Sequence, residues 1–178
     1  TSEDSRKFAA LPLALPGVKM LVGANIKFDI LHLLQNPQNR AAYMQWVAEG
    51  GIIWDVQLAE YLLEGMVQQA HWLTLDEIAP RYGGNVKFDE VKALWEAGVD
   101  TPDIDPDLLV RYLCGGDDEH GQYQEGDLGN TEKAFLGQVA RARNSGQLNS
   151  ILLNIEGRVG PIESDPNGMF VSREIAAP

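Results

Sequence analysis

Two short apolar segments, each followed at once by a helical pattern, constrain the fold of this chain more than any other feature. The segment VKMLVG spans residues 18–23 and the segment GIIW spans residues 51–54, and both are typical of short buried strands. A helical pattern over residues 25–35 follows the first segment. Asp55 follows the second, and we expect its side chain to cap the helix that contains VQLAEYLLEG. This alternation predicts an α/β fold that is rich in helix, with the two strands as neighbours in one small sheet.

Further helical patterns account for most of the remaining chain, and several are closed by glycine. They cover residues 2–10, 36–51, 73–84, 88–98, 105–114, 131–146 and 148–164.

The helical pattern that follows the first strand carries polar residues where a buried helix would not need them. At 100° per residue, a narrow polar stripe contains Asn25, Asp29, His32 and Asn36. Apolar residues flank the stripe on both sides: Ile26, Ile30, Leu33 and Leu34 on one, and Phe28 and Leu31 on the other. Two interpretations stay open from this pattern. The stripe either meets solvent, or Asp29 faces a cleft and binds a ligand there.

A second polar pattern, YQEGDLGNT, spans residues 123–131. Tyr123 precedes Asp127 by four residues, a spacing that on a helix places the hydroxyl and the carboxylate on the same face. Asn130 and Thr131 continue that face. We therefore predict a polar face here, although a tyrosine and a carboxylate at this spacing are common.

Charge and composition limit the classes of partner. The chain has 178 residues and a net charge of −12, and nine carboxylates but only one base lie between residues 100 and 127. Proteins that hold nucleic-acid phosphates by side chains alone are normally basic, so this chain would meet DNA only with metal ions supplying positive charge. Cys114 is the single cysteine, which excludes a disulfide framework. Pro12 and Pro16 interrupt the longest apolar stretch, so we expect a soluble, cytoplasmic protein with no membrane partner.

Four segments, in order, resemble a known family. GANIKFD, WDVQLAEYLL, LTLDEIAPRYG and YQEGDLGNT look like the region of the second and third motifs of the DEDDy 3′–5′ exonucleases. These are the ribonuclease-H-like (DnaQ-like) proofreading domains of family A DNA polymerases, and the four segments look most similar in sequence to bacteriophage versions. The resemblance covers residues 18–143. Residues 151–176 resemble the segment that joins such a domain to its polymerase, which implies an exonuclease-like part at 1–143 and a helical junction at 144–178.

The resemblance implies two-metal hydrolysis of phosphodiester bonds at the 3′ end of single-stranded DNA, with Mg²⁺ or Mn²⁺ as the ions. Asp29 would bind the second metal through water, Asp127 would bind the first, and Tyr123 would orient the attacking water. The residues implied on the substrate side are Asn25, Asn130 and Thr131. For a shared centre, the carboxylates of Asp29 and Asp127 must lie within about 10 Å of each other.

The chain also departs from the family pattern. The first motif, an Asp-x-Glu on an apolar strand upstream of the second, is absent, and the one literal match is Asp117 with Glu119 in a polar glycine-rich loop. Tyr112 with Asp117 is a rival for the third motif, but a spacing of five turns the side chains about 140° apart on a helix. We therefore expect weak magnesium binding and little or no exonuclease activity from this chain alone. Two hypotheses stay open: an exonuclease module whose missing carboxylates lie on other polymerase segments or another subunit, or a catalytically silent module for binding or docking.

Overall fold

The computed structural model describes residues 17–67, 72–85, 90–118 and 120–159, with side chains described through residue 157. The helix predicted at residues 2–10, Glu119 and the end of the predicted junction lie outside the described residues.

The described part of the chain is rich in helix and has two small sheets. The helices are α1 (Ile26–Leu33), α2 (Pro37–Ala48), α3 (Val56–Leu63), α4 (Leu75–Ile78), α5 (Glu90–Glu96), α6 (Pro106–Cys114), α7 (Asp127–Asn144) and α8 (Leu148–Val159). The strands are β1 (Met20–Gly23), β2 (Ile52–Asp55), β3 (Gly116–Asp117) and β4 (Tyr123–Gln124). Short 3₁₀ turns cover Ala79–Tyr82 and Thr101–Asp103. None of the described helices is both long and apolar enough to cross a membrane.

The two predicted strands are neighbours, which confirms the sequence-based expectation. Strands β1 and β2 pair in parallel, from Met20 opposite Ile52 to Gly23 opposite Asp55. A parallel pair needs a crossover connection, and α1 and α2 provide it. Because the strands are parallel, their carboxyl ends lie at the same edge of the sheet, with a helix following each strand at that edge.

Helix boundaries follow local capping signals that are visible in the sequence. The side chain of Asn36 accepts a hydrogen bond from the Gln38 backbone N–H at the start of α2. Thr74 and Glu77 form a capping box at the start of α4. Gly83, with φ of 81°, ends the 3₁₀ turn that follows α4, a left-handed conformation that glycine adopts without steric cost.

The core lies between the parallel sheet and the helices α3, α4, α7 and α8. Helix α7 packs against α3 and the 3₁₀ turn at Ala79–Tyr82, and α8 packs against β2. Fully buried members of this core include Trp54, Val56, Ala59, Ile78, Ala134, Ala142 and Ile155. Residues on both sides of position 143 therefore share one hydrophobic core in the described structure. A division of the chain at this position stays a prediction from the resemblance.

Candidate functional site

Asp29 lies on α1, one turn after the carboxyl end of β1. The residue before the helix, Asn25, has φ of 55° and ψ of 40°, a left-handed conformation that is uncommon outside glycine but tolerated by asparagine. Both residues are accessible to solvent, although neighbouring groups cover part of Asp29. Partial burial raises the pKa of Asp29, the charge of His32 opposes this shift, and the negative charge of Asp55 adds to it. Asp29 therefore lies within electrostatic reach of a second carboxylate.

The polar stripe on α1 does not lie between two buried apolar walls. Ile26, Ile30 and Leu34 are buried on one side, as the pattern predicts. On the other side Phe28 is 56% exposed, and its ring lies 4.3 Å from the ring of His32 between centroids. Asn25, Asp29 and His32 are exposed, which agrees with the interpretation that the stripe meets solvent, and Leu31, on the same side as Phe28, packs against the core.

Asp55 lies at the edge of the sheet where β1 and β2 both end, and it is only 7% exposed. Its Oδ1 accepts hydrogen bonds from the backbone N–H groups of Gln57 at 2.9 Å and Leu58 at 3.1 Å, which confirms the predicted cap of α3. Its Oδ2 accepts a further bond from the backbone N–H of Ile26 at 3.2 Å, at the start of α1. Burial raises the pKa of Asp55, and the bonds from the backbone N–H groups oppose that shift without cancelling it. The cap was predictable from the sequence, but the bond to Ile26 was not.

Tyr123 and Asp127 do not share a helix face, so this prediction is wrong. Tyr123 belongs to strand β4, and helix α7 begins only at Asp127, after Gly126 in an extended conformation. Gly126 packs so closely on α6 that an added Cβ would lie 2.4 Å from the carbonyl oxygen of Leu113. The pairing of β4 with β3 and this close approach stop the helix from extending back to Tyr123. The hydroxyl of Tyr123, which is 58% exposed, donates to the carbonyl oxygen of Cys114 at 2.9 Å.

Asn130 is fully buried on α7 and holds a neighbouring turn. Its Oδ1 accepts a hydrogen bond from the backbone N–H of Asn85 at 3.1 Å, and an added Cβ at Gly84 would lie 2.5 Å from the same oxygen. The Nδ2 atom of Asn130 is also buried, and it has no hydrogen-bond partner among the described residues. The next residue, Thr131, is half-buried on α7. Asn130 thus has a structural contact that its place in the motif did not indicate.

The described residues do not fit a complete two-metal site. Among them, no three His, Cys, Asp or Glu side chains are grouped so that they could hold a metal ion. Asp29 offers the oxygen ligands that magnesium prefers. Asp55 is close to it, but both Asp55 oxygens already accept backbone N–H groups. The convergence of Asp29 with Asp127 stays a prediction. The charges that shift the pKa of Asp29 are those of His32 and Asp55.

A buried polar cluster beside the core is the largest feature that the sequence did not indicate; we call it the Glu60 cluster. Its members are Glu60, Arg81, Tyr82, Gln138 and Arg141. The fully buried carboxylate of Glu60 accepts from the Arg81 guanidinium at 2.9 Å, the Tyr82 hydroxyl at 2.7 Å and the Gln138 amide at 2.9 Å. Burial, together with the hydrogen bond to Glu60, raises the pKa of Tyr82 to about 12. An acidic residue inside the apolar run VQLAEYLL was the one available signal.

The Glu60 cluster stabilises the fold and shows no free group for chemistry. The amide oxygen of Gln138 accepts from the indole N–H of Trp54 at 3.1 Å, and its amide nitrogen also donates to the carbonyl oxygen of Val56 at 2.8 Å. Arg141 forms an ion pair with Glu64 at 2.9 Å. Each of these polar groups is thus matched by a donor or acceptor on another element.

Comparison of this chain with models of protein families, with curated proteins and with solved structures found no match. The structure itself defines the fold class: a helix-rich α/β fold around a two-stranded parallel sheet.

Proposed function

We propose that this chain is the part of a DEDDy-type 3′–5′ exonuclease that carries the second and third motifs. One observation carries the proposal: Asp29 lies one turn beyond the edge at which the parallel strands β1 and β2 both end. In open α/β sheets, ligands bind outside the carboxyl ends of the strands. The order of the four similar segments in the sequence supports the same assignment.

The substrate class is the 3′ end of single-stranded DNA, and the reaction is hydrolysis of the terminal phosphodiester bond. In a complete site of this class, two Mg²⁺ or Mn²⁺ ions supply the nucleophilic hydroxide and stabilise the leaving oxygen. The described residues do not complete such a site. The proposal therefore includes a second source of carboxylates, an Asp-x-Glu strand on another polymerase segment or subunit.

The side chains proposed for this module are Asp29 and Asp127 as carboxylates, Tyr123 as the group that orients water, and Asn25, Asn130 and Thr131 toward substrate. Tyr123 suits its role in one respect, because the Cys114 carbonyl anchors an otherwise exposed ring close to the start of α7. Asn25 is exposed beside Asp29. Asn130 acts through its contact with the turn at Asn85 rather than by direct contact, since it is fully buried.

Digestion of an end-labelled single-stranded oligonucleotide in magnesium or manganese tests the proposal. We expect weak magnesium binding and little or no exonuclease activity from the 178 residues alone. Activity should appear when a polymerase fragment with the missing Asp-x-Glu is added, and should fall at least a hundredfold in Asp29→Ala and Asp127→Ala, a loss of about 3 kcal/mol in transition-state stabilisation. Asp107→Ala, an exposed carboxylate on α6, is the matched control and should leave the activity unchanged.

Two results would contradict the proposal that this chain is an incomplete exonuclease module. Strong activity of the chain alone that disappears in both variants would mean that the missing carboxylates come from within, with Glu119 as the first candidate. Activity that survives both variants would mean that these carboxylates are not part of the site.

A catalytically silent binding or docking module is the second candidate function. It is favoured by the finding that the described residues contain no cluster of three or more His, Cys, Asp or Glu side chains that could hold a metal ion. Under this alternative, no exonuclease activity appears with or without the added fragment, although the chain still binds that fragment in a pull-down or by calorimetry.

A further inference from the structure

We infer that Asp55 is a positioning residue for Asp29: its buried carboxylate caps the starts of both α1 and α3, and so fixes the turn that carries Asn25 and Asp29. The role of Asp29 as a cation ligand rests on the function proposed above. The double cap itself does not.

The sheet register brings Asp55 to the start of α1. Asp55 lies opposite Gly23, the last residue of β1, and Asn25 follows Gly23 by two residues. The first N–H groups of any helix have no acceptor within that helix. In α1 the usual remedy is missing, because the side chain of Asn25 makes no capping hydrogen bond. Asp55 supplies the cap from another element, since its Oδ2 accepts the N–H of Ile26, the first residue of α1.

The double cap ties the turn at the exposed Asn25 to fully buried residues of the core. Oδ1 of the same carboxylate is bonded to the first turn of α3, next to the fully buried Trp54 and Val56. Asn25 connects Ala24 to the first residue of α1 and has a left-handed backbone conformation. A conformation of this kind persists when surrounding contacts hold it. Asp29 is the fourth residue of α1, so the direction in which its carboxylate points follows from how the first turn is held.

Asp55 acts by position rather than as an exposed cation ligand. Both oxygens accept backbone N–H groups at 3.2 Å or less, and the side chain is almost fully buried. The groups that face it are the N–H donors of two helix starts and, through charge, Asp29. A replacement that caps α3 alone should therefore release α1 while leaving the core in place.

Amide hydrogen exchange measured by NMR on the full chain tests the double cap. Asp55→Ser keeps a favoured N-cap residue for α3 but has one oxygen on a shorter side chain, which cannot also reach Ile26. We expect exchange at the Ile26 amide to become at least tenfold faster, with the Leu58 amide unchanged. If this variant does not fold, Asp55→Asn makes the same test, because its amide can cap α3 but directs a donor at the Ile26 N–H.

Asp105→Ser is the matched control, since Asp105 caps α6 by accepting the Asp107 N–H at 2.8 Å and the charge change is the same. It should leave exchange at Ile26 unchanged. Unchanged exchange at Ile26 in Asp55→Ser, or equal acceleration at Ile26 and Leu58, would overturn the double cap.

Paramagnetic broadening of the Asp29 side-chain signals by Mn²⁺ tests the effect on cation binding. We expect the concentration needed for half-broadening to rise at least threefold in Asp55→Ser and in Asp55→Glu. Asp55→Glu keeps the negative charge but lengthens the side chain. Recovery of Mn²⁺ affinity in Asp55→Glu while the Ile26 amide still exchanges fast would mean that charge, and not position, is what Asp55 supplies. Absence of Mn²⁺ broadening at Asp29 in the unsubstituted chain would count against the proposed function, while the exchange result at Ile26 would still decide the double cap.

Discussion

Asp29 is a carboxylate whose surroundings oppose its charge. Burial and the nearby negative charge of Asp55 raise its pKa, and His32 only partly compensates. A folded-state pKa above the unfolded value means that the folded chain holds its proton more tightly. The free energy of unfolding therefore falls as the pH rises through the unfolded pKa, about 3.9, toward the folded one. At neutral pH the ionised Asp29 therefore destabilises the fold.

Asp29→Asn should therefore stabilise the chain at neutral pH. We expect the Tm at about pH 7 to rise by ~1–2 °C, and the gain to disappear below about pH 3.5, where both forms of the chain carry a neutral side chain. Thermal unfolding followed by circular dichroism at the two pH values measures this. Asp103→Asn, at an exposed position on a 3₁₀ turn, is the control for the loss of one negative charge. A lower Tm for Asp29→Asn at neutral pH would contradict the inference that the ionised Asp29 destabilises the fold.

At the scale of elements, the Glu60 cluster joins α3, the 3₁₀ turn and α7. Glu60 lies on α3, Arg81 and Tyr82 lie on the turn, and Gln138 lies on α7. These partners are matched in charge and hydrogen bonding, so the desolvation of the buried carboxylate is offset by several bonds at once. Removing Glu60 takes the close acceptor from the Tyr82 hydroxyl and one of two acceptors from the buried amide nitrogen of Gln138.

Glu60→Ala should be strongly destabilising for this reason. We expect a loss of about 3–5 kcal/mol in the free energy of unfolding, measured by urea denaturation. Glu60→Gln, which keeps an acceptor but removes the charge, should lose less. The control is Glu64→Ala: Glu64 pairs with Arg141 at a partly exposed position, and its loss should stay below ~1 kcal/mol. Equal losses in Glu60→Ala and Glu64→Ala would show that the buried cluster does not contribute as described.

At the scale of the whole molecule, charge is the dominant property. The net charge is −12 over 178 residues, and the excess of carboxylates between residues 100 and 127 includes the start of α6 and the segment leading to α7. Repulsion between like charges destabilises a compact state, and salt reduces this repulsion over distances beyond the Debye length.

Salt should therefore stabilise this chain. Raising NaCl from about 0.02 M to about 0.5 M shortens the Debye length from more than 20 Å to less than 5 Å, and we expect Tm to rise by at least ~2 °C. MgCl₂ at equal ionic strength separates general screening from cation binding. A larger rise in MgCl₂ that is reduced in Asp29→Ala would indicate a cation at Asp29. A fall in Tm with added NaCl would mean that attractive ion pairs outweigh the repulsion.

Local patterns in the sequence were sufficient for much of the fold. The individual strands β1 and β2, the cap of α3 by Asp55 and the helices after Asn36 and Asp105 each depend on residues close together in the sequence. Such short-range preferences can be read without knowledge of the rest of the molecule. The pairing of the two strands was expected from their alternation with helices along the chain.

The tertiary structure decided the features that depend on distant partners. Asp55 reaches Ile26 across 29 positions, and Glu60 reaches Gln138 across 78. Tyr123 lies on a strand, and not on a helix with Asp127, because β4 pairs with β3 and Gly126 packs against α6. The exposed Phe28 shows the same limit, since helical periodicity indicates which residues share a face but not which faces are covered. By itself, the sequence determined the two strands of the parallel sheet and most of the helices, because these follow from local patterns. Packing between distant segments decided that β3 and β4 form, where α7 begins, and which side chains are buried, anchored or exposed to solvent.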